Sequence, residues 1–253
     1  MAVCALLGIA VPVLLAWWVI RKCKVRLLPI LVGAVIFIIF ALGLEPIVHQ
    51  LVLKGPKGPA ILGNVWYYAL YGGLMAALFE ETGRFLGMKF LLKKEPSEPK
   101  TGLAYGIGHG GAELLVVFGI TMISNIALSV MINAGQADTL LAGVPEQAKA
   151  QAQAQLAQLQ ENGAGNYLIG IWERVSALVI QVGLSLMVWT AVRRGGKWLW
   201  LLPAAYLLHF LVDACAAVLA KTVGMVSVEL IITALAIAVG AVGWMVARKW
   251  NRE

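Results

Sequence analysis

Long apolar runs separated by short polar gaps recur along the chain, at 2–20, 27–50, 61–91, 102–133, 165–193, 198–220 and 225–247. Each approaches or exceeds the roughly 20 residues that an α-helix needs to cross the hydrocarbon core of a bilayer. The pattern therefore predicts an all-α, polytopic membrane bundle of about seven transmembrane helices, forming one integral membrane domain over 1–253. Several runs exceed the minimum, which predicts tilt, kinks or extension beyond the bilayer. Glycines in the third and fourth runs mark places where helices pack closely or bend, and no internal repeat is visible. One gap stands apart. From Gly135 to Gly163 the chain is polar, and from Ala148 to Gln160 it is built almost wholly of Ala and Gln. Both are good helix formers, and Leu156 and Leu159 supply a thin apolar stripe, so 135–163 is expected to be an external loop or helix lying over the bundle as a lid.

Composition agrees: 60% of the 253 residues are hydrophobic and 13% are charged, against about 45–50% and about 25% in a soluble domain. The formal charge of +7 would suggest nucleic acid in a soluble protein, but here location decides against that. Lys and Arg concentrate in alternate gaps, at 21–26, 89–100, 193–197 and 248–252, whereas the intervening gaps receive Lys54, Lys57, Lys149 and Lys221. By the positive-inside rule the first set is cytoplasmic, which places the N-terminus outside and the C-terminus in the cytoplasm. The first run has no basic residue before it, so it reads as a retained helix rather than a cleaved signal. Cys4, Cys23 and Cys215 form no CxxC pair, and they read as small apolar filler.

Ionisable residues inside a span cost roughly 2.5–3.5 kcal/mol each on insertion scales and by default mark function. In the third run Glu80 and Glu81 are adjacent, and Arg84 lies within one turn of both. Arg84 can neutralise one carboxylate and leave the other available as a general base. In the fourth run Tyr105, His109 and Glu113 share a stripe at i,i+4 spacing, and the glycines around His109 leave its face open. In the sixth run His209 and Asp213 repeat that spacing. Counting about 1.5 Å per residue from the nearest cytoplasmic Lys puts Glu80 and His109 about 13 Å deep and His209 about 18 Å deep. All three clusters can share one level. Glu173 and Arg174 in the fifth run also lie deep in the membrane, and suit either a contact behind the site or a structural pair. Glu45, His49 and Glu229 fall near the outer ends of their runs, where interfacial solvation is expected.

At these residues the chain resembles the glutamic-type intramembrane proteases of the CAAX-protease and bacteriocin-processing superfamily, and within it the YhfC-like branch of bacterial membrane peptidases. That superfamily carries a Glu-Glu motif with a following Arg, then an aromatic four residues before a His, then a His four residues before Asn or Asp. Glu80, Glu81 and Arg84, Tyr105 and His109, and His209 and Asp213 match in order and in placement, from the third run to the sixth. Arg84 follows the pair after two residues where three are common, Tyr105 stands for the usual Phe, and Asp213 stands for the common Asn.

The resemblance implies a multi-pass protein of a bacterial or archaeal plasma membrane that hydrolyses peptide bonds of membrane protein or peptide substrates, with no nucleic-acid partner. Glu80 with His109 would activate water, and Glu81 and Arg84 would tune Glu80. His209, held by Asp213, would stabilise the oxyanion, because an ionised Asp213 would itself repel it. No metal is required in that scheme. Glu80, His109 and His209 are also a donor set suited to zinc, so a metalloprotease variant stays open. A proton-coupled transporter and a noncatalytic scaffold with a peptidase-like fold are the readings from other classes.

Overall fold

The computed structural model describes residues 1–250 as an all-helical bundle. Arg252, counted above with the basic residues, lies outside the described residues. The first helix, α1 (Ala2–Cys23), ends where Lys24 adopts a left-handed conformation. A second helix, α2 (Leu28–Leu53), runs through a π-helical stretch at Ile38–Leu44. The third run is shorter than its apolar pattern suggested, because Asn64 breaks it. Its side chain accepts hydrogen bonds from the amides of Trp66 and Tyr67 and so caps α3 (Val65–Leu86), while the preceding residues form a separate turn, Gly58–Leu62. Then follow α4 (Pro99–Asn133), the polar α5 (Glu146–Glu161), α6 (Ala164–Arg194), α7 (Leu201–Thr222) and α8 (Met225–Trp250).

Six helices among the described residues are long and apolar enough to cross a membrane: α1, α2, α4, α6, α7 with its short 3₁₀ lead-in, and α8. The polar α5 lies outside that set, and so does α3, which carries Glu80, Glu81 and Arg84. Large hydrophobic side chains cover the outside of the bundle, among them Leu14, Trp17, Leu31, Leu74, Leu207, Leu230 and Ile237. A surface of that kind is what lipid replaces water around.

The central element is α6, 72% of whose most apolar window is buried, against 17–33% for the other five spans. It packs on α4, α7 and α8, while α3 packs on α7 and α2 on α4. Small residues permit the closest of these approaches. A Cβ on Gly33 of α2 would overlap the Tyr105 carbonyl oxygen and lie 2.9 Å from the His109 amide nitrogen, and one on Gly108 would overlap the Ile30 carbonyl oxygen. The His-bearing stretch of α4 is thereby pressed against α2, and the opposite face of α4 turns toward α6.

The Ala/Gln-rich stretch forms a helix, α5. It is mostly exposed, and its Leu159 packs against a buried cluster of Cys4, Leu114, Phe118, Met122 and Tyr167 at one end of the bundle. Glu45 and Glu229 depart from the expectation of interfacial solvation, since both are buried. Glu45 pairs with His49 at 3.0 Å, and the other ring nitrogen of His49 meets the Tyr71 hydroxyl at 2.9 Å.

Candidate active site

Adjacent residues on a helix point about 100° apart, so Glu80 and Glu81 leave α3 toward different neighbours. The Glu80 Oε2 atom meets His109 Nε2 of α4 at 2.9 Å and accepts a hydrogen bond from Gln181 Nε2 of α6 at 2.9 Å. Glu81 turns to α7, where its Oε1 lies 2.8 Å from His209 Nδ1 and 3.2 Å from Arg84 Nη1. The two carboxylates that the sequence presents as one motif thus serve two imidazoles on two helices.

Gln181 ties the halves together. Its Nε2 also donates to Glu113 Oε2 at 3.0 Å, and its Oε1 accepts from Arg84. Only this orientation of the amide suits its surroundings, because ionised carboxylates only accept and a guanidinium only donates. Beyond it, Arg174 pairs with Glu113 at 2.8 Å and with its neighbour Glu173. Glu81, Arg84 and His109 are fully buried, and Glu80 and His209 nearly so. In such surroundings charges persist only when paired and hydrogen-bonded, and the pairing just described provides this.

Tyr105 stacks on His109 with ring centroids 6.1 Å apart, and Phe37 of α2 meets the same imidazole edge-on at 5.2 Å. The Tyr105 hydroxyl has no hydrogen-bond partner among the described residues. Its contribution is therefore the ring, which with Phe37 holds the His109 plane.

Asp213 is placed differently from the expectation. It approaches His209 through Nε2 at 3.5 Å, beyond the usual 2.7–3.2 Å of a hydrogen bond from nitrogen. The short contact to His209 is made by Glu81 at the other nitrogen. His209 is thus held from behind by Glu81, and its Nε2 faces Asp213 and open space.

That space is a cavity of about 710 Å³. Glu80, Gln181 and His209 lie at its base, and it runs along α6, α7 and α8 to Gln158 and Asn162 at the end of α5. Glu113, Glu173, Arg174 and Asp213 also line it. Glu80 Oε2 is occupied by His109 and Gln181, while no partner among the described residues engages Oε1. Every site residue named from the sequence is brought into this one network or its walls. Gln181 was missed, and its signal was available: it is a lone amide within the apolar run of the fifth span.

The chain matches the family model described as "YhfC intramembrane metalloprotease" over residues 7–247. It is 36% identical over 195 residues to "Uncharacterized membrane protein YhfC" of Bacillus subtilis (strain 168), a match covering 76% of this chain and 74% of that protein. No solved structure matches the chain significantly.

Proposed function

The chain belongs to the YhfC family of membrane proteins, and from that membership and its buried centre we propose that it is an intramembrane protease hydrolysing peptide bonds of membrane-associated polypeptides. One observation carries the reading. A buried carboxylate, Glu80, is clamped through Oε2 by His109 and Gln181, each at 2.9 Å, and its free oxygen lies at the base of a cavity large enough for an extended peptide.

In the proposed reaction, water in the cavity gives a proton to Glu80 Oε1 as its oxygen attacks the scissile carbonyl carbon. The clamp on Oε2 fixes the direction of the basic lone pair, and such positioned general bases contribute typically about 10²–10⁴-fold. The carbonyl oxygen becomes an oxyanion facing His209 Nε2, whose hydrogen it accepts as Asp213 withdraws from its long contact. Glu81, 2.8 Å from Nδ1, keeps the ring oriented. Glu80 then returns the proton to the departing nitrogen, the C–N bond breaks, and an acid and an amine leave. Glu113, itself paired with Arg174, holds Gln181, and Glu173 and Arg174 shape the wall along which the substrate lies. This scheme follows the glutamic-type resemblance of the sequence.

The family description names a metalloprotease, and His and carboxylate side chains are suitable zinc donors. Among the described residues, however, no group of three or more His, Cys, Asp or Glu side chains is arranged to hold a metal ion. His109 Nε2 and His209 Nδ1 each face a carboxylate oxygen at hydrogen-bonding distance instead. As arranged, the residues do not fit a zinc shell.

The test is cleavage of a pooled library of single-span membrane polypeptides by purified wild type and Glu80→Gln, with and without chelator. Cleavage abolished by Glu80→Gln and indifferent to chelator is the expected result. Cleavage that survives Glu80→Gln overturns the role of Glu80, and loss on chelation that returns with added zinc overturns the metal-free scheme.

A further inference from the structure

Along the cavity on the α5 side of Glu80 and His209, side chains join α6 to α8. Trp172 Nε1 donates to Thr233 Oγ1 at 2.8 Å, and Ser176 Oγ lies 3.1 Å from the same oxygen. Glu173 adjoins Trp172 on α6, and Glu229 lies one turn from Thr233 on α8. Both line the cavity, so two carboxyl groups flank it at this level.

Their pairing is unequal. Arg174 is shared between Glu113 and Glu173, so one guanidinium already serves two carboxylates. Glu229 makes no hydrogen bond or ion pair among the described residues. It is only 5% exposed, and its Oε2 is buried without a partner. An acidic group taken from water and left unpaired is unfavourable unless something arrives to pair with it.

We propose that Glu229, with Glu173, forms a cationic subsite that receives a Lys or Arg side chain of the substrate about four residues from the scissile bond, on the side of α5. This rests on the proteolytic reading above. The position follows from the helix: Glu173 precedes Gln181 by two turns, about 12 Å, and an extended peptide advances about 3.3 Å per residue. A basic side chain suits the site further because its aliphatic stem can lie along Val228 and Ile232, which line the same wall, while its charged end reaches the carboxylates. The substrate therefore lies along α6, entering from the end of the bundle that α5 covers. By the distribution of basic residues, that is the outer side.

The experiment uses matched single-span peptides with Lys, Gln or Glu placed in turn at each of six positions from the cleaved bond. Specificity (kcat/KM) is measured with the full-length wild type, Glu229→Gln and Glu229→Lys, each checked for a monodisperse profile in detergent. Wild type is expected to prefer Lys over Glu by about tenfold or more near the fourth position, as expected for opposed against like charges in a poorly solvated site. Glu229→Gln should weaken that preference and Glu229→Lys abolish or reverse it. A wild-type ratio within about twofold of one at every position, or one unchanged in both variants, overturns the subsite. Binding of the same labelled peptides to Glu80→Gln protein separates the two readings. If nothing is cut but Lys peptides bind more tightly in a Glu229-dependent way, the subsite stands and the proteolytic reading falls. Binding without preference overturns the subsite.

Discussion

Replacing Gln181 by Met nearly conserves side-chain volume while deleting the amide that joins Glu80, Glu113 and Arg84. Three hydrogen bonds disappear: Nε2 to Glu80 at 2.9 Å, Nε2 to Glu113 at 3.0 Å, and the one accepted from Arg84. Polar contacts between helices in a membrane average about 0.6 kcal/mol, so the three together amount to roughly 2 kcal/mol. Arg84 is fully buried and loses one of its acceptors, which raises the expected destabilisation to about 2–4 kcal/mol. The effect on turnover is separate. Glu80 keeps His109 but loses the second clamp on Oε2, a charge-assisted bond worth about 1.5–3 kcal/mol, or roughly 10–150-fold in rate if the clamp acts only in the transition state. The assay pairs thermal unfolding in detergent with kcat/KM on a cleaved single-span peptide. A Gln181→Met protein with unchanged Tm and kcat/KM within about twofold of wild type would refute the role given to Gln181.

Two further substitutions probe the packing that positions the site. Gly33→Ala forces a Cβ into the Tyr105 carbonyl and against the His109 amide, and overpacking of this kind costs about 1–3 kcal/mol; thermal unfolding should show the loss, and an unchanged Tm would mean that α2 and α4 are not this close. Leu159→Asp puts a charge into the contact between α5 and the cluster containing Cys4. Cys4 is buried and donates to the Tyr167 carbonyl at 3.3 Å, so its maleimide labelling should accelerate several-fold while that of Cys23 and Cys215 stays constant, as read by peptide mass mapping.

Much of the architecture was legible in hydrophobicity, because a spanning helix must satisfy its backbone internally and present an apolar exterior. The i,i+4 stripes of α4 and α7 were legible for the same reason, since helical spacing fixes which side chains share a face. The partners across helices were not. Spacing alone joins His209 to Asp213, four residues away, but the shorter contact comes from Glu81 on a helix more than a hundred residues earlier. Nor does spacing show that Glu229, near the start of an apolar run, is enclosed by α6. Asn64 makes the third helix begin later than its apolar run because its side chain caps the helix that follows, a local preference that a hydropathy pattern passes over.

The split of the Glu-Glu pair leads to a prediction that separates this arrangement from the one suggested by spacing. If His209 takes its orientation from Glu81, then Glu81→Gln should impair turnover more than Asp213→Asn. The first exchange replaces a carboxylate 2.8 Å from Nδ1 with an amide and removes the acceptor that fixes how the ring faces the oxyanion. Losing an oxyanion donor altogether costs about 10²–10³-fold in kcat, so His209→Ala sets the upper bound and Glu81→Gln should fall below it, at about tenfold or more. Asp213→Asn leaves the Nδ1 contact intact and replaces a distant carboxylate with a neutral group that can itself donate to the oxyanion, so kcat should change by no more than about threefold or should rise. Thermal unfolding controls for the buried Arg84, which in Glu81→Gln loses its ion-pair partner but keeps Gln181. If folded Asp213→Asn is the more damaged enzyme, His209 is held through Nε2 after all, and its place opposite the substrate carbonyl must be abandoned.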